Sequence, residues 1–203
     1  MSGSPKGEAP RLRQVRLFAG VELDDRVREA AAGIAESLKR QLGNRVEARW
    51  ISAANLHITL WFIGEVDDRR GEEMLAGLGS PFEEAAFDIE IEGLGAFPPS
   101  GAPRVIWLGV GAGGENLRRL HSELAARLRP FGFEPERRPY SAHLTIARVK
   151  DVSRAIPYRA FREMLQTIPA AAGRSRTTHV TAFRSRLSPK GANYEALLRI
   201  PLQ

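Results

Sequence analysis

At 203 residues the chain can form one large domain or two small lobes around a real core. Its 43% hydrophobic and 27% charged residues fit a soluble globular protein. No apolar run approaches the roughly 18 residues a membrane helix needs, and with no cysteine there is no disulfide, thiolate metal site or cysteine nucleophile. The net charge of +6 favours a polyanionic partner. The arginines are scattered, however, so charge alone does not separate a nucleic-acid binder from an arginine-rich solvated surface.

In chain order, Met1–Pro10 is polar, rich in Gly, Ser and Pro, and lacks the apolar stretch of a secretory signal. Residues 1–13 are expected to form a flexible tail, residues 14–203 a single bilobal domain, and the cytoplasm is the expected address. Val15–Glu22 alternates as a strand with Val15, Leu17, Ala19 and Val21 on one face. Asp24 or Asp25 then caps a helix whose positions Val27, Ala31, Ile34, Leu38 and Leu42 step by three and four, with Gly43 as its stop. A strand over Glu47–Ile51, a strand over Asn55–Ile63, a short helix over Glu72–Leu78 and a half-exposed strand at Phe87, Ile89 and Ile91 follow.

The second half repeats the plan. Arg104–Val110 reads as a strand, Glu115–Pro130 as a helix with Leu117, Leu120, Leu124 and Leu128 on one stripe, and Tyr140–Val149 as a strand after a basic turn ending at Pro139. Thr178–Leu187 and Tyr194–Pro201 read as closing strands joined across Ser188-Pro189-Lys190-Gly191. Strand, helix, strand and motif strand thus occur twice, with no linker between the copies.

Each copy carries one tetrapeptide pattern: His57-Ile58-Thr59-Leu60 and His143-Leu144-Thr145-Ile146. In a strand, side chains alternate between faces. Leu56, Ile58, Leu60 and Phe62 therefore share an apolar face, and His57, Thr59 and Trp61 share the other. In the second copy Ala142, Leu144 and Ile146 oppose His143, Thr145 and Ala147. Two residues span roughly 6.6–6.8 Å, so each His–Thr pair can straddle a phosphate-sized group. Two imidazoles, one neutral and one protonated, suit in-line displacement at phosphorus, because an ordinary pKa near 6.5 makes both forms accessible. Threonine hydroxyls suit the non-bridging oxygens, where charge collects. A lone His-x-Thr in a strand is usually accidental; two copies in the same phase of a repeated plan are not. A metal site is the weaker alternative, because no third ligand stands near, and no cofactor is called for. His121 reads as a packed helix histidine and His179 as a surface one. Trp61 suits packing and substrate contact equally. Arg148 falls on the apolar phase of its strand, so its charge is expected to escape to the cleft or a partner.

The chain resembles the 2H phosphoesterases, and within them the RNA 2′,3′-cyclic phosphodiesterases of bacteria and archaea, also called 2′-5′ RNA ligases. The resemblance rests on Arg16-Leu17-Phe18-Ala19, Asn55-Leu56-His57-Ile58-Thr59-Leu60 with Phe62-Ile63-Gly64, Phe97-Pro98, the strand Arg104–Gly109, His143-Leu144-Thr145-Ile146-Ala147-Arg148, and the tail around Arg184–Leu187 and Gly191–Tyr194. It implies a bilobal α+β fold: two pseudo-symmetric lobes of antiparallel strands, helices outside, and a central groove between the motif strands. It also implies metal-free opening of RNA 2′,3′-cyclic phosphate ends, tRNA fragments among them, to 2′-phosphates by a monomer, with weak 2′-5′ joining in reverse. His57 is implied as proton donor, His143 as proton acceptor, Thr59 and Thr145 as phosphate holders, and Arg148, Phe18 and Tyr140 as candidate substrate contacts. Where relatives often carry proline before the second histidine, this chain has Ala142. A small cyclic nucleotide or ADP-ribose cyclic phosphate as substrate, or a non-catalytic module that binds RNA ends, are the alternatives.

Overall fold

The computed structural model describes residues 14–134, 138–188 and 191–203. The predicted tail at 1–13, part of the basic turn (135–137) and the centre of the predicted closing turn (189–190) lie outside them. The elements are β1 (Gln14–Glu22), α1 (Asp25–Leu42), β2 (Val46–Trp50), β3 (His57–Asp67), α2 (Asp68–Leu78), β4 (Phe87–Phe97), β5 (Val105–Val110), α3 (Gly114–Leu128), β6 (His143–Val152), α4 (Tyr158–Thr167), β7 (Ala171–Thr177), β8 (His179–Ser188) and β9 (Gly191–Pro201). The strands build one antiparallel sheet in the order β7-β4-β5-β6-β3-β1-β8-β9, with β2 also paired to β6.

The α+β fold with two strand lobes therefore stands. Among the described residues the two motif strands meet at a single paired position, Ile58 of β3 opposite Leu144 of β6, both 0% exposed. Past that point β2 takes over the same edge of β6, pairing from Trp50–Ala147 to Val46–Val152, and the Ile51 amide donates to the Ile146 carbonyl at 2.9 Å. β2 and β3 thus share one edge of β6, β2 along residues 147–152 and β3 at Leu144, and the rest of β3 runs on past the first residue of β6.

The helices do not stay with their own repeats. α1, which follows β1, packs on β7 and β6 of the other half, while α3, which follows β5, packs on β3. α2 covers β1 and β3, and α4 covers β4. One continuous core results, running from Leu17 and Val27 through Ile58, Ile106 and Leu144 to Phe161.

Several local expectations change for identifiable reasons. β1 is buried on both faces, because Phe18 on its groove face is covered by the rings of His57, Phe183 and Tyr194. Asp24 stands at the N-cap of α1 yet does not cap it. Its backbone amide donates to Ser175 Oγ at 2.8 Å, and its carboxylate accepts from the Arg176 amide at 3.1 Å, tying the helix start to β7. Gly43 does stop α1, at φ 52°. α2 begins four residues before the predicted Glu72, because Asp67 caps it by accepting from the Arg70 amide at 2.9 Å. The leucine stripe of α3 is buried as expected. α4 and β7 have no counterpart in the sequence reading: Ala171–Thr177 holds two arginines, two serine or threonine residues and a glycine, a composition that hides its pairing with β4. No helix among the described residues is long and apolar enough to cross a membrane.

Candidate active site

Ile58 and Leu144 pair opposite each other on antiparallel strands. One step along that register sets His57 across from Thr145 and Thr59 across from His143, all four on the groove face. The two histidines then occupy diagonal corners, a spacing of ~7–8 Å in regular pairing and somewhat less between Cβ atoms. A tetrahedral phosphorus with its oxygens fits between them.

Both imidazoles are oriented alike. His57 Nδ1 lies 2.8 Å from the Asn55 carbonyl oxygen, and His143 Nδ1 lies 2.8 Å from that of Ser141. A carbonyl only accepts, so Nδ1 carries the proton in both rings and Nε2 is left for chemistry. His57 Nε2 is 3.0 Å from Thr59 Oγ1, which donates to it while the ring is neutral.

The surroundings break the symmetry. His57 packs against Phe18 (centroids 4.8 Å apart), Tyr194 (5.1 Å, edge-on) and Phe183 (5.8 Å), whereas His143 meets Phe97 edge-on at 5.0 Å. Burial among these rings disfavours the imidazolium and pushes His57 down to about 4, with the Arg148 and His143 charges acting the same way and the Asn55 carbonyl opposing them. His143 is also lowered by burial and by Arg148, against the pull of Ser141. Gly20 leaves room for this packing: a Cβ there would stand 2.6 Å from the Ile58 carbonyl oxygen and 3.4 Å from the His57 ring.

Two bulges set which further residues reach the groove. Along β3 the register against β1 skips Leu60, and along β6 the register against β5 skips Ile146. Each skipped residue is the last of its tetrapeptide. An extra residue in one strand reverses the alternation beyond it. Phe62 therefore leaves the apolar face that strict alternation assigned to it and stands 51% exposed in the groove, and Arg148 reaches the same groove from the other strand. Phe62 and Arg148 each follow their histidine by five residues, and that matched offset was the available sequence signal.

Two adjoining hollows, about 400 and 490 Å³, share Thr59, Phe62, Thr145 and Arg148. The first opens on His57 with Arg49 and Asn55, the second on His143 with Tyr140 and Phe97. Arg148 and Arg49 make no ion pair among the described residues. Phe18 lines the first hollow but is only 1% exposed, so its contact is chiefly with the histidine ring. Tyr140 donates to the Thr59 carbonyl at 3.0 Å, stacks on His121 at 4.4 Å, and burial raises its phenol well above the usual range. Trp61 is 7% exposed and stacks on His121 at 5.1 Å, and both rings line the wall of the second hollow.

His179, read as a surface histidine, is half-exposed and paired. Its Nε2 is 2.9 Å from Glu22 Oε2, which also accepts from Thr181 and Arg199 at 2.8 Å. The Arg199 guanidinium above all holds Glu22 down to about 2. This cluster stands at the end of β1, where Glu22 pairs with His57 in register, and ties the strand to β8 and β9. Among the described residues no group of three or more His, Asp and Glu side chains gathers as a metal-binding set.

A family model described as the 2′-5′ RNA ligase superfamily matches residues 23–188. An RNA 2′,3′-cyclic phosphodiesterase of Archaeoglobus fulgidus is 37% identical over 196 residues, covering 90% of this chain and 98% of the relative. The crystal structure of TT0787 of Thermus thermophilus matches with TM-score 0.72 at 28% identity, covering 92% of this chain and 97% of that one. E. coli LigT complexed with 3′-AMP matches with TM-score 0.72 at 24% identity, covering 94% and 99%, a likeness of fold. Matched over most of its length by model, relative and fold, the chain belongs to the 2′-5′ RNA ligase superfamily, the 2H phosphoesterases.

Proposed function

We propose that the protein hydrolyses RNA 2′,3′-cyclic phosphate ends to 2′-phosphomonoesters by metal-independent two-histidine catalysis. The observation that carries the reading is the pair of imidazoles at diagonal corners, each with Nδ1 bound to a backbone carbonyl and Nε2 left for proton exchange, that of His57 resting against the Thr59 hydroxyl. The Archaeoglobus relative, named an RNA 2′,3′-cyclic phosphodiesterase and matched nearly end to end, supports the substrate class.

The cyclic phosphate lies between Thr59 and Thr145, with Arg148 opposing its negative charge. His143 takes a proton from water as its oxygen attacks phosphorus, and His57 gives one to the departing 3′ oxygen. The unequal burial suits these roles. The less depressed imidazole is the better base, and the more depressed one, once protonated, is the stronger acid. Protonating His57 also reverses its bond to Thr59, because Nε2–H then donates and frees the threonine hydroxyl hydrogen for a phosphate oxygen. Reversing the same steps with a 5′-hydroxyl in place of water gives the weak 2′-5′ joining.

Incubation with an RNA ending in a 2′,3′-cyclic phosphate, in EDTA, tests this directly. The expected product is the 2′-phosphate alone. Release of the 3′-phosphate isomer, or loss of turnover in EDTA, overturns the reading.

The pH profile follows from the two lowered histidines. kcat/KM reports the free enzyme, in which both groups titrate below their ordinary value. Its bell therefore lies on the acid side of about 6.5: rate falls at low pH as the base is protonated and at higher pH as the acid is lost. A bound phosphate anion stabilises the imidazolium, so the alkaline limb of kcat lies at higher pH than that of kcat/KM. A kcat/KM optimum on the alkaline side of neutrality contradicts the assignment.

A further inference from the structure

Resting on the two-histidine reading, we propose that Tyr140 is a positioning residue, whose hydroxyl ties the Thr59 phosphate station to the backbone that orients His143. The resemblance marks Tyr140 as a substrate contact. Its hydroxyl is instead committed to the protein, donating to the Thr59 carbonyl at 3.0 Å.

The bond falls where strand pairing gives out. β3 meets β6 at Ile58 opposite Leu144, and no further pair between them follows among the described residues. Thr59 is the next residue along β3. Toward β1 the register skips Leu60, so that ladder is interrupted at the same peptide. The Thr59 oxygen thus lies where both ladders falter, and a backbone carbonyl left without a partner is costly. Tyr140 Oη serves it. A side chain from the segment ahead of β6 does what a longer β6 would have done with its backbone.

The backbone of Tyr140 leads directly into Ser141, whose carbonyl oxygen lies 2.8 Å from His143 Nδ1. A shift of the Tyr140 main chain therefore shifts the oxygen that aligns the ring. One residue reaches a phosphate-holding threonine with its side chain and the histidine's orienting peptide with its backbone. The first motif is pinned by a bond of its own: Asn55, whose carbonyl orients His57, donates its side-chain amide to the Ala192 carbonyl at 2.8 Å.

The ring of Tyr140 is held by a separate route. It stacks on His121 at 4.4 Å with 11° between the planes, and His121 stacks in turn on Trp61 at 5.1 Å. His121 belongs to α3, which packs on β3, the strand that carries Trp61. Stack and hydrogen bond thus fasten Tyr140 to β3 independently, so the hydroxyl can be removed without releasing the ring. Burial holds the phenol well above its usual range, which keeps Oη a donor at every working pH.

Tyr140→Phe keeps the ring and its stack and removes the hydrogen bond alone. On an RNA ending in a 2′,3′-cyclic phosphate it is expected to lower kcat by about ten- to a hundredfold, the effect of misplaced catalytic groups, with KM changed by about twofold or less. A raised KM with kcat kept is the mark of a substrate contact, and that result overturns the proposal. Placed on His143→Ala, the same substitution is expected to cost no more than about threefold, because the group it positions is already gone. An equal fractional loss in both backgrounds also overturns it, since Tyr140 then acts apart from His143. The urea midpoint of each variant corrects the rates for folded fraction. A separate arm needs no turnover: imidazole NMR of the free protein follows exchange of the Nδ1 protons with water. Tyr140→Phe is expected to speed exchange at His143 and leave His57 as it was, and unchanged protection at His143 defeats the positioning role. If the wild-type protein does not turn over the cyclic end, the hydrolytic reading fails, and the NMR arm still decides the Tyr140 bond on its own.

Discussion

Replacing His57 with alanine is expected to lower kcat by about 10²–10⁴-fold, and replacing His143 to do the same, because each removes one proton transfer. A substrate with sulfur in place of the departing 3′ oxygen tells the two apart. A thiolate leaves without a proton, so this substrate recovers most of the rate in His57→Ala and little in His143→Ala. Measured turnover of both substrates by both variants settles the roles. Rescue of His143→Ala instead exchanges acid and base, and near-native rates in either variant remove the two-histidine mechanism altogether. Binding of RNA ends survives in both, since Thr59, Thr145 and Arg148 remain.

The second large effect is on stability. Ile58 is 0% exposed and forms, with Leu144, the one strand pairing of β3 with β6 among the described residues. Ile58→Ala leaves a cavity at that joint and is expected to cost about 2–5 kcal/mol, read as a lower urea midpoint in equilibrium unfolding. Activity falls further than the unfolded fraction explains, because the same pair sets His57 across from Thr145. A loss under about 1 kcal/mol, comparable to a well-tolerated core swap, shows that the joint does not depend on this contact.

The two tetrapeptides were legible in the sequence because alternation ties their chemistry to their packing: Ile58 and Leu144 are buried where His57 and His143 face the groove. The amphipathic stripes of α1 and α3 were legible for the same reason. Alternation failed one residue past each motif. It placed Phe62 in the core and left Arg148 on an apolar face, because a bulge is a relation between strands and no single strand announces it. The exchange of α1 and α3 between halves is likewise a tertiary fact. Their apolar faces say that they pack, not on which half. Arg16 belongs to a stretch that the resemblance highlighted, but the burial of its Nε without a hydrogen-bond partner is a tertiary fact that no single strand announces.

The acceptors that orient the two histidines are peptide oxygens, those of Asn55 and Ser141. In many histidine sites a carboxylate does this work, and a single substitution can erase it. Here no replacement of a side chain at 55 or 141 deletes the oxygen, and the acceptor never titrates, so ring alignment holds across the whole working pH range. The vulnerability moves elsewhere: only a change in the path of the main chain, such as an insertion or deletion just ahead of either histidine, can turn the ring away.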